Sequence, residues 1–167
     1  GANPDDFSST VQAFHAVSLM RLRRYPHAML ATATHDHKRG EDVRARLAVL
    51  SEIPNDWAQL VEQWRALNAR LRYRENGIEA PDGIDEYILY QMLVGAWPLE
   101  LAVTDRAGLG EFAKRLSAWQ QKAVREAKRQ SGWIEPNLDY EQGCERFLAQ
   151  LLSPEMSGEF LAGLARF

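Results

Sequence analysis

The residues best suited to chemistry follow a short apolar run near the start of the chain. Met29 to Ala33 is apolar and rich in small residues, which predicts a strand, and Thr34-His35-Asp36-His37-Lys38-Arg39 comes directly after it. In α/β folds, ligands and catalytic groups characteristically lie just beyond the carboxyl ends of strands. The pattern therefore predicts a polar site centred on Asp36.

The residue types in this string allow two interpretations that need no carbohydrate. Imidazole and carboxylate groups together suit divalent metal ions, so His35 and Asp36, with His15 or His27, could be ligands in an all-helical His-Asp phosphohydrolase. In such enzymes the His-Asp pair lies on a helix, whereas here the preceding residues predict a strand. The other interpretation is a non-catalytic helical interaction module, in which Asp36 only orders a surface loop.

A longer string makes the chain recognisable. Residues 34–46, Thr-His-Asp-x-Lys-Arg-x-Glu-Asp-Val-Arg-Ala-Arg, resemble the segment around the third catalytic carboxylate of the maltooligosyltrehalose synthases, which are (β/α)₈-barrel enzymes of the α-amylase superfamily. One departure is His37, where the family has Thr. Further matching strings are Phe14-His15-Ala16, Asp85-Glu86-Tyr87, Tyr90-Gln91, Gly95-Ala96-Trp97-Pro98 and Trp133-x-x-Pro136-Asn137-x-x-Tyr140-Glu141.

The resemblance implies a role for each polar residue of the string. Asp36 would be the third carboxylate, which holds sugar hydroxyls and stabilises the positive charge of an oxocarbenium-like transition state. His35 would hydrogen-bond the sugar at the same subsite. Lys38 would donate to the reducing-end glucose, with Arg39 as a second substrate-binding candidate. The chemistry implied requires no metal and no organic cofactor.

The resemblance also implies a larger enzyme. In the family, the nucleophilic Asp and the acid/base Glu precede this motif, but the only acids before His35 here are Asp5 and Asp6. A chain of 167 residues is also shorter than the roughly 250 residues of a complete barrel. We therefore expect an inactive piece of an intramolecular transglucosylase, whose partners are the rest of the barrel and a maltooligosaccharide. The intact enzyme would convert the reducing-end α-1,4 bond to an α,α-1,1 (trehalose) bond.

Composition narrows the possible settings of the chain. With 46% hydrophobic residues, it can bury a real core. A net charge of −3 with both signs interspersed gives no reason to expect nucleic acid. One cysteine, Cys144, lies on an apolar helical stripe, which predicts a buried thiol in a reducing compartment such as the cytoplasm. The sequence shows no membrane-spanning or signal pattern.

Periodicity predicts a mainly α assembly with at most one or two short strands. The resemblance implies that this assembly is a partial piece of a (β/α)₈ barrel. Residues 1–53 would hold the late barrel strand, its active-site loop and flanking helices, and residues 54–167 a helical subdomain. The first predicted helix runs from a cap at Ser9 to Arg24. The second begins after Gly40 and the third after a cap at Asn55, and a loop over 72–83 follows. The remaining helices are predicted over 84–94, in a long stretch that ends at Gln130, over 137–152 and after Ser153-Pro154.

The five tryptophans divide into two groups. Trp57, Trp64 and Trp119 fall on apolar helical stripes, which predicts packing. Trp97 and Trp133 lie at helix ends inside matching strings, so they are candidates for lining a sugar groove.

Overall fold

The computed structural model describes residue 5 and residues 8–34, 37–75 and 77–167. By its contacts the chain divides into two compact units, Gly1–Thr34 and His35–Phe167. Within the described residues it has seven α-helices and one two-stranded sheet. The prediction of a mainly α fold is therefore confirmed.

The first unit is built around α1 (Val11–Arg24). Its N-cap is Thr10, whose hydroxyl accepts a hydrogen bond from the backbone N–H of Ala13 at 3.1 Å, so the predicted cap at Ser9 is wrong by one residue. The predicted end at Arg24 is confirmed. No residue of α1 is buried.

The strand predicted over Met29 to Ala33 is wrong for this structure. None of these five residues is in a strand, and the Met29 side chain is 99% exposed. A strand requires backbone hydrogen bonds to a neighbour, and the described residues provide a paired strand only in the second unit.

Six helices make up most of the second unit. They are α2 (Glu41–Val49), α3 (Pro54–Asn68), α4 (Gly83–Ala96), α5 (Arg106–Ala127), α6 (Leu138–Leu151) and α7 (Pro154–Arg166). Gly40 is the N-cap of α2, with Glu41 and Asp42 in its first turn, where carboxylates favour the positive end of the helix dipole. The predicted start of this helix is thus confirmed.

A β-hairpin occupies the predicted loop over 72–83, so that prediction is wrong. Strands β1 (Tyr73–Glu75) and β2 (Ile78–Ala80) pair antiparallel, with Tyr73 opposite Ala80. Gly77 in the turn has φ 78°, which glycine adopts without strain. Strands of three residues are too short to show a period of two in the sequence.

Helix boundaries were predicted less accurately than helix positions. Asn55 is not a cap, because Ile53 is the N-cap of α3 and Pro54 takes the first helical position, where its missing N–H costs nothing. The long helix α5 ends at Ala127 rather than Gln130, since Lys128 is left-handed at φ 54°. Ser153 and Pro154 start α7 as predicted.

The core of the second unit lies around α4. Leu89, Tyr90 and Leu93 of this helix are fully buried, and side chains from α3, α5, α6 and α7 surround them. The prediction that Trp57 and Trp64 pack in the core is confirmed, since both are buried and their rings meet edge to face at 6.0 Å. This packed body fixes the helices that hold the segment after Asp36.

Candidate active-site segment

Two of the four predicted site residues are among the described residues and two are not. His35 and Asp36 lie outside the described residues, so their predicted roles stay predictions. Lys38 and Arg39 are described, and the structure places both against helices of the second unit.

Helix α5 contacts Lys38 at two points. The backbone carbonyl of Lys38 accepts a hydrogen bond from Trp119 Nε1 at 2.9 Å. Its side-chain Nζ forms an ion pair with Glu126, and the Lys38 side chain is 25% exposed. Trp119 was predicted only to pack, but its indole N–H also bonds the segment that follows Asp36.

Arg39 faces both α4 and α5. Its guanidinium donates to Gln91 Oε1 at 3.4 Å and lies 6.0 Å from the Trp119 ring centroid. The Arg39 Nε is buried without a hydrogen-bond partner, and within the described part of the chain no carboxylate pairs with this cation. Burial lowers the pKa of Arg39. Among the described residues this half-buried cation bonds a neutral side chain, Gln91, and such a cation suits hydrogen bonding to ligand oxygens.

Helix α2, which continues the polar segment, packs tightly on α4. A Cβ on Gly95 would come within 2.6 Å of Val43 Cγ1, so only glycine permits this approach. Arg46 on α2 donates to the carbonyls of Gly95 at 3.4 Å and Trp97 at 2.7 Å, at the end of α4. The matching string Gly95-Ala96-Trp97-Pro98 thus forms the α2–α4 contact.

A buried charged cluster lies inside the second unit. Glu86 is fully buried, and its Oε2 accepts from Arg72 Nη2 at 2.7 Å, with Arg65 Nε at 3.6 Å. The Tyr90 hydroxyl donates to Glu86 Oε1 at 2.8 Å and accepts from Asn68 Nδ2 at 3.0 Å. Because both Glu86 oxygens are occupied inside the protein, this carboxylate has a structural role and is not available to a substrate.

A second buried cluster joins two of the matching strings. The Tyr140 hydroxyl donates to Asp85 Oδ2 at 2.5 Å, and Arg129 Nη1 donates to Asp85 Oδ1 at 3.3 Å. The same Tyr140 oxygen accepts from the backbone N–H of Asp82 at 3.0 Å. Burial raises the pKa of Asp85, and the nearby Asp82 adds to this.

Neither cluster was predicted from the sequence. The available signal was the pair Asp85-Glu86, followed four residues later by Tyr90, inside an otherwise apolar helix. Acids in such a setting require internal partners.

The two tryptophans proposed to line a sugar groove have different surroundings. Trp97 packs edge to face on Phe112, with ring centroids 5.6 Å apart. Trp133 is 56% exposed and the Arg125 guanidinium lies 4.9 Å from its ring centroid. Neither contact tests a role in binding sugar.

The described residues contain neither a candidate metal site nor a candidate membrane-spanning helix. No group of three His, Cys, Asp or Glu side chains among them is arranged to hold a metal ion. No helix among them is long and apolar enough to cross a membrane. The metal-dependent interpretation depends on His35 and Asp36, which are not among them.

Comparison with known proteins gives one consistent relationship. The chain is 33% identical over 164 residues to a Mycobacterium tuberculosis protein that carries the name maltooligosyl trehalose synthase. The aligned region covers 98% of this chain and 19% of that protein. The solved maltooligosyltrehalose synthase of Arthrobacter ramosus matches 99% of the chain with a TM-score of 0.71 and 30% identity, over 19% of its own length. A Sulfolobus tokodaii structure described as maltooligosyl trehalose synthase matches with a TM-score of 0.69 and 31% identity.

No protein-family model matches the sequence. The chain spans about a fifth of the length of the relatives it matches. The similarity nevertheless extends over almost the whole chain, in sequence and in fold. This chain therefore belongs to the maltooligosyltrehalose synthase family and corresponds to one segment of those proteins.

Proposed function

We propose that this chain supplies the third active-site carboxylate, Asp36, of an intramolecular transglucosylase that forms trehalose ends on maltooligosaccharides. The observation that carries the proposal is similarity to maltooligosyltrehalose synthases over 98% of the chain, together with the string around Asp36. The anchored Lys38-Arg39 segment supports it, because two cationic donors follow the carboxylate directly.

Each residue has a distinct task in this proposal. Asp36 holds sugar hydroxyls and stabilises positive charge as the α-1,4 bond breaks, and His35 hydrogen-bonds the same sugar. Lys38 and Arg39 donate to hydroxyls of the reducing-end glucose. The nucleophile and the acid/base would come from the remainder of the enzyme.

The domain organisation proposed from the sequence is part of this hypothesis. Residues 1–53 would contribute the late barrel strand region and active-site loop of the whole enzyme, and residues 54–167 the helical subdomain. In the intact barrel, residues 29–33 would gain the strand neighbours that they need for backbone hydrogen bonds. A cytoplasmic location is also proposed, since the single thiol, Cys144, is free and free thiols are typical of reducing compartments.

The direct test is Asp36→Asn in the full-length protein that carries this sequence. We expect the rate of trehalose formation to fall by about 10² to 10³, the loss typical when one transition-state-stabilising group is removed, with the melting temperature unchanged. Asp42→Asn is the matched control, since this exposed carboxylate lies in the same polar segment. Near-wild-type turnover of Asp36→Asn would refute the proposed role.

Two measurements on the 167-residue chain address the alternatives. With one of the three carboxylates, it should form no trehalose from maltooligosaccharides, and detectable product would overturn that expectation. Metal analysis tests the phosphohydrolase interpretation. A stoichiometric transition metal, lost in His35→Ala, would support it and count against the sugar chemistry.

A further inference from the structure

We propose that Trp119 and Glu126 are positioning residues, which hold Lys38 where it can orient the reducing-end glucose. The inference rests on the proposed function. Neither side chain lies in a string that led to the family, and the sequence analysis placed Trp119 only in a packing stripe.

The two side chains lie on one face of α5. They are seven residues apart, which is about two helical turns and roughly 10 Å along the axis. Trp119 bonds the Lys38 carbonyl at 2.9 Å and Glu126 pairs with its ammonium. Lys38 is therefore held at its backbone and at the tip of its side chain.

The surface that holds Lys38 is rigid. Leu109, Phe112, Leu116 and Val124 anchor helix α5 in the core, and Trp119 itself packs against it, so this helix cannot shift without disturbing the core. The Glu126 carboxylate also has Lys122 Nζ at 3.8 Å. A second cation at this distance helps to fix the carboxylate that Lys38 contacts.

The same surface of α5 also holds the next residue, Arg39. Arg39 lies over the Trp119 ring and bonds Gln91 of α4, so two helices fix two successive residues.

The reaction makes this positioning measurable. In a retaining mechanism, the bond between the anomeric carbon and the enzyme carboxylate breaks as a hydroxyl oxygen attacks that carbon and passes its proton to the acid/base carboxylate. The attacking hydroxyl belongs either to C1 of the released glucose, which gives trehalose, or to water, which gives hydrolysis. If Lys38 orients the glucose, loosening Lys38 must raise hydrolysis relative to isomerisation.

The test uses Glu126→Gln and Trp119→Phe in the full-length protein. We expect the ratio of free glucose released to trehalose ends formed to rise about tenfold in both, within the effect of displacing a reacting group by about 1 Å. Glu111→Gln and Trp57→Phe are matched controls, because Glu111 forms an exposed ion pair with Lys114 on the same helix and Trp57→Phe removes an indole hydrogen bond to Tyr87, which does not contact Lys38. Their product ratio should not change.

Structural damage has a different signature. If both products fall together, with an unchanged ratio, the residues only support the fold and the inference is overturned. An unchanged ratio at unchanged rates overturns it as well. Glu126→Gln keeps the inference testable if Trp119→Phe fails to fold. A wild-type protein that forms no trehalose ends would instead refute the proposed function, independently of these variants.

Discussion

Replacing Tyr90 by Phe removes one oxygen atom from the buried charged cluster and tests how much that hydroxyl contributes to stability. The substitution removes a hydroxyl that accepts from Asn68 at 3.0 Å and donates to Glu86 at 2.8 Å. Asn68 is 1% exposed and Glu86 0%. Bulk water is therefore kept from the lost hydroxyl's place, and the Asn68 Nδ2 donor and the Glu86 Oε1 acceptor each lose a buried partner.

The expected cost follows from those two groups. An unsatisfied buried donor or acceptor costs about 1–3 kcal/mol, and a charged one lies at the upper end. The ring contacts remain, because Phe keeps the packing against Trp64 and Phe160. We expect the free energy of unfolding to fall by about 2–4 kcal/mol, which lowers the melting temperature of a chain of this size by roughly 5–15 °C.

Urea denaturation followed by circular dichroism measures this change. Tyr87→Phe is the matched control on the same helix: its hydroxyl accepts from Trp57 Nε1 at 3.0 Å, but Tyr87 is 37% exposed. This hydrogen bond is only partly buried, whereas those of Tyr90 to Asn68 and Glu86 are buried. Water can therefore replace the Tyr87 hydroxyl more easily, and the control should cost less than about 1 kcal/mol. Equal effects of the two variants would refute the reasoning that burial decides the cost.

Three further predictions concern other contacts in the second unit. Gly95→Ala should destabilise the chain by about 1–3 kcal/mol through its clash with α2. Gly110→Ala in α5, with open space around it, should instead stabilise the chain by up to about 1 kcal/mol. Thermal unfolding that ranks the two variants in the opposite order would contradict the α2–α4 packing. Hydrogen bonds from Arg125 lower the pKa of Glu141. The stabilisation by this pair is therefore complete above the pKa of the unfolded state, about 4.3, and is lost as pH falls through the pKa of the folded state. The stability difference between wild type and Glu141→Gln should shrink on acidification, and a constant difference would contradict the ion pair. Burial raises the pKa of the Cys144 thiol to about 12, so an aromatic disulfide reagent at neutral pH should label it only in denaturant, and rapid labelling of the native chain would show that the thiol is accessible.

Features with a strong local cause were predictable from the sequence. Helices with apolar stripes, such as the one through Trp57 and Trp64, were placed correctly because burial of one face decides their position. The start after Gly40 and the Ser153-Pro154 start followed from capping chemistry. The family was predicted from the residue string around Asp36, whose residue types do not follow from helical periodicity.

Features that depend on distant partners were not predictable. Residues 29–33 have strand composition, yet a strand forms only where a neighbour supplies backbone hydrogen bonds. The Tyr140–Asp85 contact joins residues 55 positions apart, and no local pattern shows it. In the candidate site, Lys38 and Arg39 could be predicted from the residue string. The two α5 residues that contact Lys38 could not, because they lie far from it in the sequence.

The sharing of Glu86 between two arginines and a tyrosine limits how this family segment can drift in evolution. Losing a charged partner of a buried ion costs about 3–5 kcal/mol, a large part of the roughly 5–15 kcal/mol that holds a typical domain folded. Exchanging the whole set for apolar residues of similar volume can be neutral, but that route requires several changes at once. Across relatives, Arg72, Glu86 and Tyr90 should therefore covary, being inherited together or replaced together.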